Sequence, residues 1–329
     1  PIANVTYANL IWVQHENGGR GRLYNFFRGR GDQPVVMTSD DEGETWTYRG
    51  EVFTRPGSRP YPHYAAGPDG RIWFTVGLSH PHSVRANPVY AGYILNGRMH
   101  RSDGTFVGTL ADDVAPTAFT KVFQSDETNP VTWGPSYYPG LDDADAWGSD
   151  LVVDGSGAPV MTFSVRVPRR SPVPGKHLQQ EIHWARLDPA TGEWQVARIG
   201  AGGSELYDSQ PSYSGLSVVD PTNPYRVYAS TDVDPVTGAP LVSAATGRVQ
   251  HEIWEATSPD GGATWAWAPV TTGSATDNLR PVVAEGDGSW ALLWLRGRYT
   301  SFVDDYDQSV VGIVRPASPP ATTTIDDVA

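Results

Sequence analysis

The sequence predicts an all-β chain folded as a single β-propeller, with about seven blades of four-stranded antiparallel sheet. Three observations carry this expectation. Apolar runs are short and stop roughly every ten residues at Gly, Pro, Asn or Asp, as in an all-β fold. The 35 glycines and 28 prolines supply turns, while 12 Trp, 15 Tyr and 9 Phe supply strand and groove aromatics. A turn of the form S-x-D-x-G-x-T-W occurs twice, at Ser39–Trp46 and Ser258–Trp265.

The strands are read from Leu23–Phe27, Val35–Met37, Ile72–Val76, Leu151–Val153, Val160–Val165, Val227–Ser230 and Ala291–Leu295. Turn pairs such as Asn96-Gly97 and Asp154-Gly155 punctuate them. In the repeated turn, Asp41 and Asp260 can accept backbone N–H bonds, and Gly43 and Gly262 can take φ > 0. Trp46 and Trp265 then fold back over a strand pair, so the motif, an Asp-box, marks equivalent hairpins rather than chemistry. A blade needs about 40–50 residues, which divides the chain into about seven. The strand Val5–Val13 is expected to join the last blade and close the ring, which removes exposed sheet edges. Residues 1–316 form the propeller, and the Pro- and Thr-rich stretch 317–329 reads as a disordered tail. The Pro- and Asp-rich stretch Asp112–Asp145 reads as a long insertion over one face.

Composition removes several function classes. The chain has no cysteine, so disulfides, thiolate metal sites and a thiol nucleophile are excluded. Its net charge of −13 argues against nucleic acid or an anionic membrane as a partner, and an anionic substrate would need a local Arg and His cluster. No apolar stretch reaches the ~18 residues of a membrane span, so a soluble protein is expected. With neither an initiator Met nor a signal peptide, the sequence reads as a mature or trimmed form. No nucleophile elbow, P-loop or dinucleotide fingerprint is present.

Among eight histidines, His63 precedes the strand Ile72–Val76 and His80 follows it. A hairpin at Asp69-Gly70 can bring both to one face, with Arg59, Tyr61 and Tyr64 beside them. For any one of these histidines, a ring satisfied by a backbone carbonyl is the plainer alternative. His80 and His82 have metal-binding i, i+2 spacing but no third ligand nearby. His183 sits mid-strand in a core or groove-wall position. Arg166, Arg169 and Arg170 end one strand, Arg280 precedes another, and Arg296 and Arg298 end a third. Guanidinium forks at strand ends suit carboxylate or sulfate, although solvated arginines at loop edges look the same. Trp133, Tyr137, Tyr138 and Trp147 offer sugar-stacking platforms, or simply pack the insertion down. The acidic runs at Asp142–Asp150 and Asp304–Asp307 do not by themselves define a two-carboxylate glycosidase.

An ordered series of blocks resembles the propeller polysaccharide lyases, which include ulvan lyases and rhamnose–glucuronate lyases. The blocks are Tyr7-Ala8-Asn9-Leu10, Arg22 to Gly29, the turn at Ser39, Arg59-Pro60-Tyr61, His80-Pro81, Ser102 to Thr105, Tyr213 to Leu216, Asn278 to Pro281 and Trp294 to Gly297. They span Tyr7 to Val314. The resemblance implies a seven-bladed propeller that cleaves a 4-linked uronic acid by β-elimination. It implies catalytic roles for His63, His80 and Arg166. Substrate contacts fall to Arg59, Tyr61, Tyr64, Tyr138, Trp147, His183, Arg280 and Arg296. The implied partner is an anionic uronate-containing polysaccharide, met by a secreted or periplasmic monomer. The chemistry requires no cofactor, and the group can hold a structural Ca²⁺ or Zn²⁺. A propeller glycoside hydrolase, sialidase-like or a rhamnosidase, and an inert carbohydrate-binding propeller stay open as alternatives.

Overall fold

The computed structural model describes residues 5–54, 59–81, 86–124, 144–206, 210, 212–286, 288–300 and 306–315. These residues form a single β-propeller of antiparallel sheets, with five blades in place of the expected seven. The first blade is β1 (Thr6–Val13), β2 (Arg22–Arg28), β3 (Pro34–Ser39) and β4 (Thr47–Glu51). The second is β5 (Pro62–Ala66), β6 (Ile72–Gly77), β7 (Val89–Leu95), β8 (Arg98–Arg101) and β9 (Phe106–Thr109), with β10 (Thr120–Phe123) paired to β7. The third is β11 (Asp145–Val153), β12 (Pro159–Arg170), β13 (Leu178–Leu187) and β14 (Trp194–Ser204). The fourth is β15 (Ser217–Asp220), β16 (Asn223–Thr231), β17 (Glu252–Thr257) and β18 (Ala266–Pro269). The fifth has three described strands, β19 (Asn278–Gly286), β20 (Ser289–Tyr299) and β21 (Tyr306–Arg315).

The blade count falls because the second, third and fourth sheets consume more chain than a minimal repeat. The second blade carries two additional strands, and the third runs from 145 to 204 on long strands. In the fourth, the chain leaves the sheet after β16 and returns at β17, held meanwhile by the bridges Val233–Pro240 and Val242–Val249. The strand β10 also occupies part of the stretch read as an insertion. Residues 125–143 of that insertion, with Trp133, Tyr137 and Tyr138, lie outside the described residues, as do His82 and the tail 317–329.

Both repeated turns form the same hydrogen-bonded unit, and both join the third and fourth strands of a blade. Asp41 accepts Thr45 N–H at 2.9 Å and Thr45 Oγ1 at 2.6 Å, and Asp260 accepts Thr264 N–H at 2.8 Å and Oγ1 at 2.6 Å. Trp46 Nε1 donates to Gly43 O at 3.0 Å, and Trp265 Nε1 to Gly262 O at 3.1 Å. Gly43 and Gly262 sit at φ 97° and 94°, a region that costs a side chain energy and glycine nothing. In each turn these carboxylate and indole bonds substitute for the ladder bonds that the reversal interrupts.

Successive blades pack face to face. Tyr24, Phe26 and Val36 of the first meet Ile72 and Phe74 of the second, and Trp73 and Ala91 of the second meet Phe163 and Val165 of the third. Trp184 and Ile182 of the third meet Val227 and Ala229 of the fourth, and Tyr228 and Ile253 of the fourth meet Leu292 and Trp294 of the fifth. Among the described residues no such cluster joins the fifth blade to the first. Leu10 on β1 is 63% exposed and Val310 on β21 is 68% exposed. Contrary to the expected ring closure, β1 pairs with β2 as the first strand of the first sheet and takes no place in the last. Its side chains alternate between the neighbouring blade and the open flank.

Phe74 is fully enclosed between the first two blades, edge-on to Phe53 and Phe119. Phe74→Ala is expected to destabilise the chain by about 3–5 kcal/mol, read from the shift of its chemical-denaturation midpoint.

Candidate functional site

The first strands of successive blades lie side by side, β1 by β5, β5 by β11, β11 by β15 and β15 by β19. Because strands alternate in direction within each sheet, these first strands all begin at one end of the molecule. A cavity of about 340 Å³ opens there. Its lining comes from the start of β1 (Tyr7, Asn9), the end of β2 (Arg28), β5 and its approach (Tyr61, His63, Tyr64), β11 (Trp147, Ser149), β12 (Ser164), the entry to β15 (Ser212, Tyr213, Leu216) and β19 (Arg280).

Irregular backbone re-aims these strand ends. Register shifts interrupt β1 between Thr6 and Asn9, β11 between Gly148 and Asp150, and β19 between Leu279 and Val282. A bulge adds a residue on one strand and bends it. Tyr7, Leu216 and Arg280 adopt φ of 60°, 70° and 54°, strained for residues with a side chain. All three line the cavity. Arg280 is held in place by its N–H, which donates to Gly215 O at 2.9 Å.

The expected hairpin does bring His63 and His80 to one end of the molecule. His63 lies on the wall, where Nε2–H donates to Gly148 O at 3.2 Å. That bond leaves the ring's lone pair on Nδ1. Burial pushes the His63 imidazole below its ordinary value, with the Gly148 carbonyl opposing the shift, so the ring is neutral at pH 7. His80 stands behind the wall: its ring packs 4.6 Å from Trp147, 5.7 Å from Tyr61 and 6.0 Å from Tyr213. These rings continue an aromatic course across four blades, Tyr7 to Tyr61 at 6.0 Å, Tyr61 to Trp147 at 5.4 Å and Trp147 to Tyr213 at 4.9 Å. Burial pushes the Tyr213 hydroxyl up to about 12, so it stays protonated.

Of the residues expected at the site, His63, Tyr61, Tyr64, Trp147 and Arg280 line the cavity together. Arg166 does not. Its guanidinium is enclosed, ion-paired with Asp145, and 3.3 Å from Ser212 Oγ, one layer behind the lining. A charge that deep persists only with a partner, and Asp145 takes that position. His183 is also displaced: mid-strand on β13, it packs against Phe163 and Phe123 inside the blade interface. Arg296, opposite Asn278 near the end of β20, donates to Asn278 Oδ1 at 3.0 Å instead of entering the cavity. Arg59 stands at the rim, 3.0 Å from Asp32, and Tyr138 lies outside the described residues. Tyr7, Arg28, Ser149, Ser212 and Tyr213 were not singled out from sequence. Tyr7, Arg28 and Tyr213 do fall inside recognised blocks, but which residue of a block faces the axis depends on the bulges.

Electrostatically the cavity has two cations, Arg28 and Arg280, and no Asp or Glu among its described lining residues. Arg280 Nη2 donates to Tyr299 Oη at 3.2 Å, and no carboxylate pairs with it among the described residues. The same residues hold no group of three His, Asp or Glu placed to bind a metal ion.

No family model matches the chain, and no curated protein matches it. Solved structures do. A PL25 ulvan lyase bound to -[GlcA(1-4)Rha3S]- aligns over 95% of this chain at 14% identity and a TM-score of 0.55. A second PL25 ulvan lyase structure aligns over 95% at 15% identity and a TM-score of 0.54, and the polysaccharide lyase Uly1 over 94% at 14% and 0.50. At these identities the likeness is one of fold. The chain spans 66% of the length of the first two and 58% of the third.

Asp150, directly after the cavity residue Ser149, turns away and accepts Val219 N–H at 2.9 Å. Burial raises its carboxyl from 3.8 to about 6. Between those values the folded chain keeps a proton that the unfolded chain has lost, so stability falls as pH rises. Asp150→Asn is therefore expected to gain on the parent as pH rises from 4 to 7, by up to about 3 kcal/mol, with little gain below pH 4 in denaturation series.

Proposed function

We propose that this protein is a polysaccharide lyase that cleaves a 4-linked uronic acid, glucuronate or iduronate beside rhamnose, by β-elimination. The observation that carries this reading is the makeup of the cavity: a neutral histidine, an unneutralised arginine and an aromatic wall, with no carboxylate among the described lining residues. Glycoside hydrolysis by the two-carboxylate route needs acidic groups flanking the bond. Elimination needs a base, a cation for the uronate carboxylate and a proton for the leaving oxygen.

In this scheme Arg280 pairs with the uronate carboxylate. That neutralises a charge which otherwise opposes loss of the C5 proton, and stabilises the enolate-like charge as it develops. His63 Nδ1 takes the C5 proton. The C4–O4 bond then breaks as the C4–C5 double bond forms, and Tyr213 O–H, protonated at working pH, donates to O4. Trp147 and Tyr61 stack on sugar faces. His80 and Arg166 act as positioning residues, His80 by backing Trp147 and Tyr213, Arg166 by holding Ser212. The role that the family resemblance gave to Arg166 thus passes to Arg280, which is open to the cavity. The scheme draws on no cofactor, and a structural Ca²⁺ or Zn²⁺ elsewhere is compatible with it. In this reading the protein is secreted or periplasmic and acts as a monomer.

Turnover is tested on ulvan and other rhamnose–glucuronate polymers by ultraviolet absorbance of the unsaturated uronate. His63→Ala is expected to lower kcat by about 10²–10⁴-fold, and Arg280→Ala by a similar factor, with circular dichroism unchanged. kcat/KM is expected to fall only at acid pH, below the ordinary histidine range, as the buried His63 takes up a proton. New reducing ends without absorbance would assign a hydrolase instead, and binding without either product a carbohydrate-binding propeller.

A further inference from the structure

Arg280 enters the cavity from a segment that is fastened to the fourth blade. Ser230 Oγ–H donates to Asn278 O at 2.7 Å, and Arg280 N–H donates to Gly215 O at 2.9 Å. His251, just ahead of β17, grips the same segment two residues earlier. Its N–H donates to Asp277 Oδ1 at 2.9 Å, its Nδ1 lies 3.5 Å from that oxygen, and its carbonyl accepts Asn278 N–H at 3.0 Å.

The His251 ring is buried, and its Nε2 has no hydrogen-bond partner among the described residues. Charges act on it from three elements: Asp277 ahead of β19, Asp232 just after β16, and Lys176 between β12 and β13. Lys176 Nζ is itself engaged, donating to Glu205 O and Leu206 O at 2.8 Å each. Two nearby carboxylates are turned elsewhere, Glu252 to Thr271, Ser274 and Asn278, and Glu205 to His177 and Leu178. Burial alone would lower the imidazole, but Asp232 and Asp277 outweigh it and, against Lys176, hold His251 above its ordinary value of 6.5. Burial of Asp277 is likewise outweighed by its bond to His251, so that carboxyl sits below its ordinary value.

Resting on the lyase reading, we infer that His251 is a positioning residue for Arg280: as a cation between Asp277 and Asp232 it fixes the segment that carries Arg280, and losing its proton slackens that hold. A raised imidazole keeps its proton more tightly in the folded chain than in the unfolded one. The ionic hold is therefore complete below pH 6.5 and is lost as pH rises through the folded value. No group already placed in the mechanism gives the same effect, since His63 titrates on the acid side and Tyr213 keeps its proton up to about 12. Turnover then has an alkaline limit set outside the cavity.

The test is the pH profile of kcat on a rhamnose–glucuronate polymer. The parent chain is expected to lose about tenfold in kcat along a limb centred above pH 6.5, the cost of a loosened Arg280. Asp277→Asn keeps an acceptor for His251 N–H but removes a charge, and should move that limb acidward by about one pH unit. His251→Gln should start about tenfold down at pH 6 and show no such limb, whereas a residue that only packs the interior would leave the limb in place. His100→Gln, on β8 of the second blade, should leave it untouched. A limb unmoved in both Asp277→Asn and His251→Gln would overturn the assignment. Nuclear magnetic resonance reads the same linkage without turnover: the His251 ring should titrate above pH 6.5, the Arg280 Nε–H signal should follow it, and both should shift acidward in Asp277→Asn. An Arg280 signal indifferent to the His251 titration would also overturn it. If no polymer is turned over, the lyase reading fails by itself, and the magnetic resonance titration still decides the link between His251 and Arg280.

Discussion

Face-to-face packing of one sheet on the next is the interaction on which the site depends. Each sheet is too thin to bury its own apolar side chains, so it offers one face to each neighbour. Four such contacts stack the five blades in chain order. Stacking in that order brings the first strands together, and antiparallel pairing makes all of them begin at the same end. The cavity follows from those two facts before any side chain is chosen. Among the described residues the flank between the fifth and first blades lacks the contact, and Leu10, Val310 and Val314 are exposed there.

The strand ends are not regular where they meet the cavity. Three bulges and three left-handed residues cluster there, each opposing the local preference of the chain. The cross-blade contacts hold them: Tyr7 against Tyr61, Arg280 through Gly215, Ser149 between Gly148, which binds His63, and Asp150, which binds Val219. The charges are sorted in the same way. A strongly acidic chain keeps its carboxylates out of the described lining and buries Asp145 against Arg166 instead, so the cavity keeps the field of two arginines.

Much of the fold was legible in the sequence because its signals are local. The short apolar runs match β2, β3, β6, β11, β12, β16 and β20, and the two eight-residue turns form the same bonds at equivalent hairpins. The number of blades was not legible. It depends on how much chain each sheet consumes, and extra strands or a long excursion carry no mark that separates them from a new blade. The site was half legible: the hairpin between His63 and His80 is local, so both histidines came to one end. His183 and Arg296, by contrast, carried the right residue types on strands whose outward and inward faces only packing assigns.

The sequence by itself determined the all-β architecture, the turn chemistry and a net negative surface that leaves an anionic ligand dependent on a few arginines. Periodicity and turn residues act over a handful of positions, and charge is a sum. Only the tertiary structure decided that Arg280 faces the cavity while Arg166 is enclosed by Asp145, and that Arg28, Tyr7 and Tyr213 join residues from other blades. Those outcomes depend on bulges and on which sheet face meets the next blade. Both are fixed by contacts between segments far apart in the chain, which no short stretch of sequence contains.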